Sequence, residues 1–173
     1  MGNTKSINKC NYENIQLYIE KREKYGSNNS YDSGVLIHSL NQYDNTDCLI
    51  TFSLNGQEEE RTINTLIRQK QFEVPIIVYG LNNNDIRIVE KYNKLLSFGF
   101  TNIYLYVGGL FEWLCLQDIY GDDEFKTTSK ELDILKYKPN KNMKLCNSIE
   151  RKQYYIEDKK DNSLLSNIFG SLF

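Results

Sequence analysis

Alanine is absent from this chain, and proline (two residues), histidine (one) and tryptophan (one) are scarce. Asparagine, lysine, isoleucine and tyrosine take their place. All four are served by AT-rich codons, so the asparagine-rich stretches are discounted as functional signals. No run approaches the ~20 apolar residues of a membrane span. The start lacks the charged n-region and apolar h-region of a secretory leader. The four cysteines, Cys10, Cys48, Cys115 and Cys146, stand far apart and form no C-x-x-C pair. That spacing argues against a metal site and against a disulfide framework, and no cofactor is expected. Basic residues are not in excess: 21 Lys and Arg against 23 Asp and Glu leave a net charge of −2. Nucleic acid, which needs a basic surface, is therefore not an expected partner. Thiols without a disulfide pattern predict a reducing, cytoplasmic location.

What is present suffices for one domain with tails: 173 residues, 40% of them hydrophobic. Residues 1–11 are polar and read as a loose start. Ile15, Tyr18 and Ile19 fall at helical spacing within 14–24. Residues 35–40 read as a buried strand and 48–52 as a shorter one. Ile63, Leu66 and Ile67 share one face of a helix over 58–70. The run 74–79, Val-Pro-Ile-Ile-Val-Tyr, is continuously apolar and largely β-branched, as a central parallel strand covered on both faces requires. A polar loop follows: Gly80, Leu81, Asn82, Asn83, Asn84 and Asp85. A helix over 86–98 with Val89, Tyr92, Leu95 and Leu96 inward then stops at Gly99. Residues 102–107 form the next strand and 110–119 an apolar helix carrying Trp113. Thr127–Ser129 are placed to cap a short helix through Leu135. This alternation predicts an α/β domain with a mostly parallel central sheet and helices on both faces. The expected organisation is an N-terminal segment (1–30), the α/β domain (31–137), a linker (138–160) and an amphipathic C-terminal helix (161–173). In that helix Leu164, Leu165, Ile168, Phe169 and Leu172 make one stripe.

In open parallel sheets ligands bind at the carboxyl ends of strands. The loop Gly80–Asp85 is expected there, ahead of a helix N-terminus whose free N–H groups favour anions. Three features in order carry a resemblance. They are the strand 74–79 with its six-residue loop and helix, Leu96-Ser97-Phe98-Gly99-Phe100-Thr101-Asn102-Ile103-Tyr104, and Val107-Gly108-Gly109-Leu110-Phe111-Glu112-Trp113. Together they span about half the chain, roughly 34–120, and resemble the rhodanese-like domain. Residues 116–139 resemble an extension found in the branch of that family without the catalytic cysteine. The resemblance implies a three-layer rhodanese-like fold. It also implies that the nucleophile position is Gly80, where active members carry a cysteine. Persulfide transfer needs a thiolate, and glycine supplies none. The loop is neutral until Asp85 and lacks the arginine that often ends it in active members.

The expectation is a catalytically inactive module that binds a protein partner of unknown identity. The competing expectation is a sulfurtransferase using a displaced cysteine, Cys48 or Cys115. Each has a plainer alternative as a small buried hydrophobe. His38, the one histidine, is expected to be a satisfied structural residue at a strand end. The start, Met1-Gly2-Asn3-Thr4-Lys5-Ser6, fits the N-myristoylation pattern. Gly2 and a neighbouring palmitoylated Cys10 would supply the two lipids that stable attachment to a membrane surface needs.

Overall fold

The structure is a computed structural model and describes residues 6–26, 33–44 and 46–140. Four strands form one parallel sheet: β1 (Lys9–Cys10), β2 (Val35–His38), β3 (Ile76–Tyr79) and β4 (Ile103–Tyr106), in the order β1-β4-β3-β2. Val35 pairs with Ile76, and Ile76 with Ile103, so the central strands run in step. Four helices connect and follow them: α1 (Tyr12–Tyr25), α2 (Gly56–Arg68), α3 (Arg87–Ser97) and α4 (Gly109–Tyr120).

Side chains alternate across a strand, and here both sets are apolar. Ile76, Val78, Ile103 and Leu105 pack with Ile63 and Leu66 of α2 and Ile88, Tyr92 and Leu95 of α3. Ile77, Tyr79 and Tyr106 pack with Ile15, Tyr18 and Ile19 of α1 and Leu110, Trp113 and Leu114 of α4. The sheet is thus covered on both faces, as the unbroken apolar run of β3 predicts. Trp113 is fully buried between two rings, with Phe125 at 4.9 Å and Tyr106 at 6.5 Å, both edge-on. Gly99 ends α3 with φ +98°, as its position in the sequence foretells.

The structure departs from the sequence reading in four places. Lys9 and Cys10 are not loose: they pair with Leu105 and Tyr106 as an edge strand, too short to show an apolar alternation. Residues 48–52 do not join the sheet. Ile50 makes a single bridge to Thr127, its N–H donates to the Tyr79 hydroxyl (3.1 Å), and Phe52 turns with φ +63°. Thr127 and Thr128 cap no helix. Their hydroxyls donate to Ser129 and Asp47 carbonyls (3.0 and 2.9 Å), and only a 3-10 turn follows, Ile134–Tyr137. Finally, α1 supplies Ile15, Tyr18 and Ile19 to the same core as the sheet, so packing places no boundary between 30 and 31. The described residues up to Pro139 belong to one compact unit. The linker and C-terminal helix expected over 138–160 and 161–173 lie almost wholly outside the described residues.

Phe125 ties the segment after α4 to the core, being 3% exposed and in contact with Trp113. Phe125→Ala should cost about 3–5 kcal/mol, read by urea unfolding followed through the emission of Trp113. A loss below ~1 kcal/mol would mean that the segment is not part of the core.

Candidate functional site at the carboxyl end of the sheet

Tyr79 ends β3, and the loop Gly80–Asp85 turns the chain into α3. The start of α4 packs directly on this loop. The Leu110 and Phe111 N–H groups donate to the carbonyls of Gly80 and Leu81, both at 2.9 Å. Such closeness requires glycine at 109: it has φ +65°, and a Cβ there would lie 2.6 Å from the Gly80 oxygen. Asn82 is buried and fixes the far side of the loop. Its Nδ2 donates to the Tyr137 carbonyl (2.8 Å), and its Oδ1 accepts from the Asn84 N–H (3.0 Å). Asn83 and Asn84 face solvent.

The centre of the loop is filled by its own last residue. Asp85 Oδ2 accepts from the Leu81 N–H (2.8 Å), and Oδ1 accepts from the Arg87 N–H (3.1 Å). The Arg87 guanidinium adds two bonds of 2.7 Å to the same carboxylate. Arg87 also reaches Asp44 with its two terminal nitrogens, at 2.7 and 3.1 Å. Burial pushes the Asp85 carboxyl up, but the Arg87 side chain and the Leu81 amide outweigh it and hold the group below its ordinary range. Hydrogen bonds to Asp85 and then Asp44 raise Arg87 correspondingly. The N–H groups expected to be free for an anion are therefore partly spent on a carboxylate of the chain itself.

Gly80 has the same cause. A Cβ at this position would lie 2.5 Å from Asp85 Oδ2 and 2.8 Å from Ile88 Cγ2. The inward fold of Asp85 and the missing side chain at 80 thus depend on each other. Sequence reasoning placed the loop residues correctly but missed Arg87, the first residue of α3, and its partner Asp44. The spacing Asp85-x-Arg87 was a usable signal. Asp44, 43 positions away, gave none.

The remaining candidates are scattered. His38 ends β2 at 6% exposure, and its Nδ1 has no hydrogen-bond partner, so it is buried but only partly satisfied. Burial first and the Lys91 ammonium second push its pKa down to about 4, against opposing effects of the Leu40 backbone and Asp44. Cys48 is buried, and its thiol donates to the Ser129 carbonyl at 3.0 Å. Cys115 is partly exposed on α4. Cys10 lies in the edge strand β1, half-buried. Burial raises all three thiols, Cys10 to about 12, so each is protonated at neutral pH. Gly2 and Cys146 lie outside the described residues. Among the described residues, no group of three or more metal-ligating side chains converges. Nor is any described helix long and apolar enough to cross a membrane.

No family model matches this chain, and no curated protein does. Among solved structures, the crystal structure of the BH2092 protein from Bacillus halodurans is similar. It shares 14% identity over 64% of this chain and 73% of that one, with a TM-score of 0.44.

Two outcomes follow from these bonds. Asp85→Asn should destabilise the chain by roughly 1–3 kcal/mol, because the Leu81 N–H and one side of Arg87 lose a charged acceptor; chemical unfolding at pH 7 measures this. The second concerns His38. The unfolded ring holds its proton up to about pH 6.5, the folded one only below about pH 4. Its stabilising effect is complete above pH 6.5 and lost as pH falls from 6.5 to 4, on the order of 3 kcal/mol in full. Unfolding curves of His38→Phe should show a flatter dependence over that interval than the parent protein.

Proposed function

We propose that this chain is a catalytically inactive rhodanese-like protein that acts as a protein-binding or scaffolding module. One observation carries the reading. Where the resemblance puts the nucleophile, the chain has Gly80, and the carboxylate of Asp85 occupies the space that a side chain and its anionic substrate would need. Sulfur transfer through an enzyme persulfide needs a thiolate facing the substrate. Here the groups that would stabilise one are committed to a fixed internal charge.

The start of the chain adds a second element to the same proposal. A myristoyl group on Gly2, reinforced by a second lipid, would hold the module on the cytoplasmic face of a membrane. The support for this is the sequence pattern alone. The position of Cys10 in a half-buried edge strand, with its thiol held protonated, disfavours that residue as the second acylation site.

The alternative, a sulfurtransferase using Cys48 or Cys115, has weaker support. Cys48 is buried and bonded to a carbonyl, and Cys115 lies beside Asp118 and Glu112, which oppose a thiolate.

The test is a thiosulfate-to-cyanide sulfurtransferase assay on the purified chain and three variants. The parent, Gly80→Cys and Asp85→Gly should show no turnover. Gly80→Cys should also lose stability by roughly 1–3 kcal/mol from overpacking, and adding Asp85→Gly should not restore the parent's stability, because the Leu81 N–H and the Arg87 guanidinium then lose their acceptor. Turnover by the parent, abolished in Cys48→Ser or Cys115→Ser, would overturn the reading. For the binding role, affinity capture from the native cell should recover a defined protein that Asn83→Arg, a change on the exposed loop surface, fails to recover.

A further inference from the structure

At the opposite end of the sheet the space is open. A groove of about 440 Å³ lies at the amino ends of all four strands, beneath α1. Lys9 begins β1, while Ser33, Pro75 and Asn102 stand just before β2, β3 and β4. Its apolar walls come from Leu17 and Tyr18 of α1 and from Ile77 and Tyr104 of the sheet. Leu17 lines it while still 49% exposed, which costs a hydrophobic side chain its full burial. The Tyr18 hydroxyl is committed to the Phe52 carbonyl (3.0 Å), so this residue offers the groove its ring and not its polar tip.

Among the described residues that line the groove, the charged ones are Lys9 and Lys21, and none is Asp or Glu. Neither lysine has an ion-pair partner among the described residues. Asn102 donates through Nδ2 to the Glu73 carbonyl (3.1 Å), which leaves its Oδ1 as an acceptor. The volume is that of a small-molecule site, within the ~300–1,000 Å³ such sites span. A long acyl chain would press methylenes against Asn14, Ser33 and Asn102 and leave them without hydrogen bonds, which is costly.

We propose that this groove binds a small aromatic anion, with phosphomonoesters of a flat ring system as the chemical class. The two ammonium groups take the phosphate as point charges. The tyrosine rings and the aliphatic wall take the ring, and the amides meet its polar edge. The site is separate from the Gly80–Asp85 loop, and the proposal stands or falls independently of how that loop is read.

The test uses the full chain and 1-naphthyl phosphate as probe, with 1-naphthol and inorganic phosphate as controls that each lack one feature. Titration calorimetry should show saturable one-to-one binding of the probe, at least tenfold tighter than either control. The double variant Lys9→Gln with Lys21→Gln should bind at least tenfold more weakly at an unchanged melting temperature. Lys94→Gln, a lysine on α3 that does not line the groove, should bind like the parent. Absence of saturable binding would overturn the proposal. So would inorganic phosphate binding as tightly as the probe, or an equal loss in Lys94→Gln.

Discussion

Strand β3 imposes the architecture. Ile76, Ile77, Val78 and Tyr79 are all buried, so neither face of this strand meets water. A strand of that kind must be covered by helices on both sides, which fixes a parallel neighbour on each flank and sends every connection to one of the two ends of the sheet. The loop after Tyr79 therefore emerges where three elements converge: the end of β2, the start of α3 and the start of α4. Tyr79 itself reaches beyond the strand. Its hydroxyl accepts from the Ile50 N–H and lies 3.0 Å from Ser53 Oγ, so the same strand also anchors the irregular segment around 50.

At that convergence the chemistry is inward. A parallel sheet ordinarily offers an anion free amides at its carboxyl end. This chain fills the position with Asp85, and then balances Asp85 with Arg87 and Arg87 with Asp44. The cluster forms one chain of charge-assisted bonds from α3 to the turn after β2. Such a cluster orders the loop and commits the Leu81 amide and the Arg87 side chain to a carboxylate of the chain itself. The open groove lies at the end of the sheet where parallel folds do not usually bind ligands. The two ends thus differ in one respect: the first pairs its charges internally, while at the second Lys9 and Lys21 have no carboxylate partner among the described residues.

The α/β architecture, the central strands and α3 and α4 were legible because their apolar runs are long or strictly periodic. Gly99 was legible because only its conformation suits the end of α3. The edge strand was hidden, since two residues, Lys9 and Cys10, carry no pattern and are recruited by β4. The segment 48–52 was misread for the opposite reason. It is apolar enough for a strand, but its backbone partners are a tyrosine hydroxyl and a distant loop, which periodicity does not encode. The site was legible as a position and not as a state. The sequence shows a glycine where a nucleophile is expected, but the inward turn of Asp85 depends on Arg87 and Asp44 meeting in space.

The strand order has a consequence for synthesis. Among the described residues β1 at 9–10 pairs with β4 at 103–106, and α1 is tied to the segment after α4, the Gln16 side chain donating to the Glu124 carbonyl and Glu23 pairing with Lys126. Ribosomes add roughly 5–20 residues each second, so the first strand waits on the order of ten seconds for a partner that does not yet exist. Closing about a hundred residues of chain is also an entropic cost that contacts of this separation must meet. The amino-terminal helix meets its first partners around Leu36, Ile50 and Phe52, but the cover over Ile15, Tyr18 and Ile19 is completed only once Leu110 and Trp113 of α4 have been made.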